Sequence, residues 1–262
     1  MNNPSVYARP VFSKRFFPIW RRNFLVWKKL AVASVLGNIA EPLITLIAFG
    51  YGLGSLLREV EGIPYLYFLA SGSICMSMMM AASFESLYSA FSRMHVQKTW
   101  DALLNAPLAL DDVVLAEMLW AATKALFSGL AILLVIFGLG IGLHPHILLV
   151  PPLLFLVGMT FASLGLIFNA LARGYDFFTY YFTLVLTPMI FLSGVYYPVT
   201  QLPEWLQAIS RFLPLSAAVN LVRPLVLGGW PEAFLADCLI LLAYCVVAFY
   251  LATLLTRRRL LK

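Results

Sequence analysis

Charge is scarce in this sequence. Of its 262 residues only 11% are Asp, Glu, Lys or Arg, while 62% are hydrophobic. A soluble domain carries about 25% charged residues, so the chain lacks the polar surface that would keep it in water. Its mean hydropathy of +0.89 makes lipid the expected solvent. Cysteine is nearly as scarce. Cys75, Cys238 and Cys245 are odd in number and sit inside apolar runs, which argues against a disulfide framework and against a metal cluster. The three histidines, His95, His144 and His146, do not share the helical spacing of a metalloprotease. No G-x-x-x-x-G-K-[ST] loop occurs, so ATP hydrolysis by the phosphate-loop route is not expected of this chain. Nor does the N-terminus read as a secretory signal, because its first apolar stretch begins near Leu30 and leads into further spans.

What is present is long apolar runs. A hydrocarbon core of ~30 Å needs ~20 apolar residues as a helix, and six stretches qualify: 30–57, 65–91, 113–142, 147–172, 177–196 and 233–256. Positive charge orients them. Arg9, Lys14, Arg15, Arg21, Arg22, Lys28, Lys29, Arg93, Lys98, Arg173, Arg257, Arg258, Arg259 and Lys262 fall on one side. Arg58, Arg211 and Arg223 fall on the other, with Lys124 inside a span. Six spans then place both termini in the cytoplasm of a multi-pass protein. The net charge of +6 follows the membrane rather than one folded face, which argues against nucleic acid as a partner.

The stretch GVYYPVTQLPEWLQAISRFLPL, 194–215, is too polar to cross comfortably and too apolar for a wet loop. It belongs to an outward segment, 197–232, punctuated by Pro198, Pro203, Pro214, Pro224 and Pro231. Two short helical patterns lie between the prolines, over 203–212 and over 217–227, the second broken by Pro224. Irregular backbone at membrane depth needs protein or a water-filled cavity around it, so a re-entrant helix pair is expected. An amphipathic loop on the outer leaflet is the plainer alternative.

Two cytoplasmic elements are amphipathic. Over 16–29, Phe16, Trp20, Phe24 and Trp27 form one stripe and Arg21, Arg22, Lys28 and Lys29 another, as in a helix lying among headgroups. In the loop 92–112, Thr99 can cap a short helix in which Trp100, Leu103 and Leu104 share a face, and Pro107 ends it. That face suits a groove on a soluble partner, with membrane-surface packing as the alternative. Ionisable groups at membrane depth complete the inventory: Glu41 before Pro42 with Asn38 on the same face, Glu85, Glu117 and Lys124 seven residues apart, and Asp237. Such groups default to functional hypotheses, here proton coupling through Glu41 or Asp237. Interhelical pairing is the structural alternative.

Several stretches resemble one family: WRRNFLVWKKLAVASVLGNIAEPL (20–43), KTWDALL (98–104), LAEMLWAATKA (115–125), FASLG (161–165), YDFFTYYFTLVLTPMIFLSGVYYPVTQLP (175–203), FLPLSAAVNLVRPLVLG (212–228) and RRRLLK (257–262). Together they are similar to ABC-2 type exporter permeases, and within these to the NodJ-like branch. The resemblance implies one all-α transmembrane domain over 1–262, with six spans, an interfacial helix (16–29), a cytoplasmic coupling helix (99–106) and the re-entrant segment (197–232). It implies a homodimer in a bacterial inner membrane, bound to two NodI-like ATPase subunits that hold ATP and Mg, with no cofactor in this chain. Trp100, Asp101, Leu103 and Leu104 would meet the ATPase. Tyr196, Tyr197 and Trp205 would stack the sugars of an amphiphilic glycolipid, a lipo-oligosaccharide, at an outer gate, where Arg211 or Arg223 would meet its head group. Drug efflux by the same family and proton-coupled secondary transport stay open.

Overall fold

A computed structural model describes residues 13–260 except 58, 139, 141 and 143, and describes 38, 39 and 41 by their backbone alone. The fold is helical apart from one hairpin. An N-terminal helix, α1 (Phe16–Lys28), leads into α2 (Ala31–Gly52), which continues through Pro42. After the hairpin come α3 (Tyr65–Phe84), α4 (Thr99–Leu104), α5 (Leu110–Gly138) and α6 (Val150–Leu171). Then follow α7 (Phe177–Tyr181), α8 (Thr187–Leu192), α9 (Glu204–Ser210), α10 (Pro214–Leu227) and α11 (Phe234–Leu260).

Among the described residues, five helices are long and apolar enough to cross a membrane: Ala31–Ser55, Tyr65–Val96, Leu110–Gly138, Pro145–Leu171 and Phe234–Leu260. These match five of the six expected stretches. The remaining one, 177–196, is shorter than expected. Its helix covers Phe177–Leu192, roughly 24 Å at 1.5 Å per residue, and is interrupted by a wide π-type turn at Phe182–Leu186. Gly194, at φ 72°, turns the chain away immediately afterwards.

The most enclosed span is α3, which packs against α2, α5, α6 and α10. In contrast α2 and α11 present Val32, Leu36, Ile44 and Ile47, and Leu235, Leu239, Val246 and Val247, outward, as a lipid-facing surface requires. The α5 and α6 backbones approach closely at Gly158, where an added Cβ would stand 3.1 Å from the Ala122 backbone. Small residues permit such approaches between spans. Gly158→Val is therefore expected to destabilise the protein by about 1–3 kcal/mol, measured as a lower melting temperature in detergent. Gly138→Val, with open space around it, should change little.

One expectation about the 197–232 segment is corrected. The second short helix begins at Pro214, where the missing N–H of a first-turn proline costs nothing, and runs unbroken through Pro224 to Gly228 at φ 89°. The Gly229 N–H bonds back to the Pro224 carbonyl at 2.8 Å, closing the helix end. Of the two helices, only α10 is buried in the bundle. Its neighbour α9 exposes Trp205 and Ile209, with Phe212 exposed just beyond it.

The outer hairpin pairs Glu59–Val60 with Ile63–Pro64, with Val60 opposite Ile63. Its two-residue tip, Glu61 and Gly62, has φ 54° and 74°, the signature of a type I′ turn.

Candidate functional site

Where α3, α4 and α5 come together, four charged side chains close a buried network. Beyond Phe84, α3 widens into π-type turns at Glu85–Ser89 and Ser92–Val96, a distortion frequent at functional positions. These turns aim Glu85 and Arg93 at α5. Arg93 donates from Nε to both Glu117 oxygens at 3.0 and 3.1 Å, and from Nη2 to Glu117 Oε2 at 2.5 Å and Glu85 Oε1 at 2.9 Å. Lys124 Nζ reaches Glu85 Oε2 at 2.8 Å. Two cations thus balance two carboxylates that are 3% and 1% exposed, the condition under which buried charge is tolerated.

The same carboxylates recruit neutral donors from other elements. Trp120 Nε1 donates to Glu85 at 2.8 Å, Trp100 Nε1 to Glu117 at 3.2 Å and Asn23 Nδ2 to Glu117 at 3.4 Å. Accordingly α1, α3, α4 and α5 meet at one polar knot. Glu117 and Lys124 share a helix face as expected, but each pairs with the end of α3.

The position of Trp100 corrects the expected docking surface. Its indole is 1% exposed because its N–H has found a buried carboxylate, and Leu103 and Leu104 pack partly against the core. What α4 presents outward is Asp101, Ala102 and Asn105. Thr99 does not cap this helix. The N-cap position is Lys98, in left-handed backbone at φ 50°, and no side chain bonds there.

The aromatic stripe of α1 also faces protein. Trp20 Nε1 donates to Thr123 Oγ1 at 3.1 Å, Phe24 stacks on Trp20, and Trp27 stacks on Phe127 at 5.1 Å. Phe17, Leu25 and Val26 are the apolar residues left exposed, beside Arg21, Lys28 and Lys29. Arg22 is half-buried and lines a cavity of about 200 Å³ with Trp27, Glu85 and Arg93. Burial pushes its guanidinium below the ordinary range, with Glu117 opposing.

A second lock ties the tail to α5. Arg257 donates from Nε to Asp111 Oδ1 at 2.8 Å and from Nη2 to Asp111 Oδ2, a two-pronged pair. Its neighbour Arg259 caps the end of α6 through the carbonyls of Asn169, Ala170 and Ala172 at 3.0, 3.2 and 2.6 Å. Asp112 accepts from the Ser13 N–H and hydroxyl at 2.8 and 2.7 Å.

At the opposite end of α3, Arg223 is engaged within the protein. Its guanidinium donates to Gly194 O at 2.6 Å, Ser71 Oγ at 3.1 Å and Phe68 O at 3.4 Å, and lies 3.7 Å over the Phe68 ring. It pins the turn after α8 to α3, an internal role that its place in an outer loop disguised. Tyr65 adds a hydroxyl bond to Tyr196 O at 3.2 Å. Tyr196 is wedged between Phe49 and Phe191, and Tyr197 is half-buried. Trp205 and Arg211 are exposed. Asp237 is buried at one wall of an outer cavity. The side chains of Asn38 and Glu41 lie outside the described residues.

A model of the family described as ABC-2 type transporter matches residues 14–227. The chain is 47% identical to nodulation protein J of Rhizobium leguminosarum bv. trifolii over 262 residues, covering 100% of both chains. It is 45% identical to nodulation protein J of Sinorhizobium fredii over 247 residues, 93% of each. It is 44% identical to nodulation protein J of Rhizobium meliloti over 256 residues, 98% of each.

Proposed function

The chain belongs to the ABC-2 type transporter family, and from that premise we propose that it is the permease of an exporter for an amphiphilic glycoconjugate. The cargo is a lipo-oligosaccharide of the nodulation-factor type, moved outward across a bacterial inner membrane. Two copies of the chain, with both termini cytoplasmic, form the route. Two separate NodI-like ATPase subunits bind ATP and Mg, which fits a sequence that carries no phosphate loop. Full-length relatives named nodulation protein J, at 42–47% identity, support the choice of cargo.

The observation that carries the reading is the mounting of α4. A six-residue helix with a polar outer face is held from behind by Trp100, whose indole N–H bonds into the Glu117–Arg93–Glu85 knot. Any push on Asp101, Ala102 and Asn105 is delivered to α3 and α5 together. Some 25 residues above Arg93, a distance of ~37 Å along a helix, the same α3 carries Phe68 and Ser71, which hold Arg223 and through it the Gly194 turn. One rod therefore touches both the motor-facing helix and the outer segment.

Purifying the permease with its cognate ATPase tests this directly. Asp101→Arg is expected to cut co-purification severalfold while leaving the melting temperature of the permease unchanged. Trp100→Phe keeps the ring and removes the N–H donor. It should retain the ATPase yet export less cargo per ATP hydrolysed. Undiminished co-purification and export in both variants would exclude α4 as the contact.

A further inference from the structure

The outer cavity has a lining that no part of the coupling path uses. It holds about 390 Å³ and is lined by Glu61, Asn220, Arg223, Trp230, Glu232 and Asp237, a size within the range of small-ligand sites (about 300–1,000 Å³). Three of these residues are carboxylates. Among the described lining residues the one cation, Arg223, already donates to Gly194, Ser71 and Phe68. The lining is thus rich in acceptors and poor in free donors. Asp237 sharpens the point: it is 6% exposed and interacts with the Asn220 amide, while its Oδ2 has no hydrogen-bond partner. A buried acceptor left unmatched is costly, so the cavity suits a ligand that brings its own donors. An anion would meet three carboxylates here.

Trp230 supplies the other half of the site. The closure of α10 at Gly228 and Gly229 brings it back beside Pro224. Phe234 stacks against the indole at 5.4 Å and His146 meets it edge-on at 5.7 Å. Trp230 nevertheless remains 56% exposed, which leaves a rigid apolar platform at the cavity wall. Glu61 reaches the cavity from the hairpin tip, where a side-chain-bearing residue is held at φ 54°. A flat aromatic face beside clustered hydrogen-bond acceptors and one amide, Asn220, is the chemistry that recognises a pyranose ring. The C–H face lies on the indole while the hydroxyls donate to carboxylates.

We propose that this cavity is a saccharide subsite on the outer side of the protein, taking a neutral, hydroxyl-rich sugar unit stacked on Trp230 and hydrogen-bonded to Asp237. Its place on the export route rests on the glycoconjugate reading above, whereas sugar binding is measurable without it. The subsite is separate from Tyr196, Tyr197 and Trp205, none of which lines the cavity.

The test uses the permease–ATPase complex in lipid nanodiscs, with a glucose tetramer and an N-acetylhexosamine tetramer as soluble probes and tetramethylammonium as a cationic competitor. At least one tetrasaccharide should bind saturably by calorimetry. Trp230→Ala and the isosteric Asp237→Asn should each weaken binding by about tenfold or more, with Trp205→Ala unchanged and melting temperatures compared throughout. Absence of sugar binding, binding that survives both cavity variants, or full displacement by the cation overturns the subsite. ATP-driven uptake of a labelled lipo-oligosaccharide into inverted vesicles separates the two readings. Normal uptake without Trp230-dependent binding leaves the exporter standing and removes the subsite. Trp230-dependent binding without uptake in any variant does the reverse.

Discussion

Replacing Arg93 with alanine should do more damage than any other single change around the buried network of α3, α4 and α5. Among the described residues Arg93 is the one side chain that bonds to both Glu85 and Glu117, and those carboxylates are almost wholly removed from water. Its loss leaves Glu117 hydrogen-bonded by the neutral indole of Trp100 and amide of Asn23, with the half-buried Arg22 as the nearby cation. Stranding a buried charge typically costs about 3–5 kcal/mol, a large share of the 5–15 kcal/mol that holds an ordinary domain together. The expected result is a sharp fall in folded permease recovered in detergent. Glu117→Gln, which keeps an acceptor for both neutral donors and removes the stranded charge, should partly restore folding when combined with Arg93→Ala. Recovery of that double variant isolates the second consequence: α4 stays mounted but its tie to α3 is cut, so ATP hydrolysis should continue with little export. A single Arg93→Ala variant with normal yield and normal export would show that the knot carries neither stability nor coupling.

The spans were legible in the sequence because composition alone decides them. Twenty apolar residues have few alternatives in a bilayer, and the five long helices fall where the runs fall. Pairing was much less legible. Arg93 reads as an ordinary cytoplasmic cation, yet its partners lie 8 and 24 residues away, and Lys124 finds a partner 39 residues back. No local periodicity reports such distances. The available signal was Glu85 and Glu117 at span ends with cations of comparable depth. That is enough to suspect pairs and too little to assign them. Trp100 illustrates a different limit. An aromatic on an amphipathic helix looks the same whether it faces a partner or its own bundle, and only the direction of its N–H separates the two. Arg223 was hidden by the positive-inside rule, which treats an outer arginine as a lipid-facing exception when it is in fact a bracket. Trp230 carried a visible mark in the run Gly228-Gly229-Trp230-Pro231, where two glycines and a proline fix the approach of an aromatic.

The Arg257–Asp111 pair leads to the second large effect, and here orientation and stability can be separated. Arg257 sits in the tail run Arg257-Arg258-Arg259, whose obvious role is to hold the last span's end in the cytoplasm. If that were its whole contribution, Arg257→Ala would be mild, because Arg258 and Arg259 remain. The structure gives it a different weight. The guanidinium is 2% exposed and two-pronged on a carboxylate that is 4% exposed, so alanine removes a charge-assisted pair from a buried carboxylate at the start of α5. A loss of about 3–5 kcal/mol is expected, with α11 loosened from the end of α5. Cysteine-accessibility labelling of the tail should show unchanged topology while the melting temperature and yield fall. Asp111→Leu combined with Arg257→Met should recover most of the stability, because buried ion pairs exchange well for apolar groups of similar volume. Failure of that rescue, with both single variants folding normally, would mean that the pair is solvated in the membrane-bound protein. Success would show that what the pair supplies between the ends of α5 and α11 is a filled, charge-balanced contact, which apolar side chains of similar volume can replace.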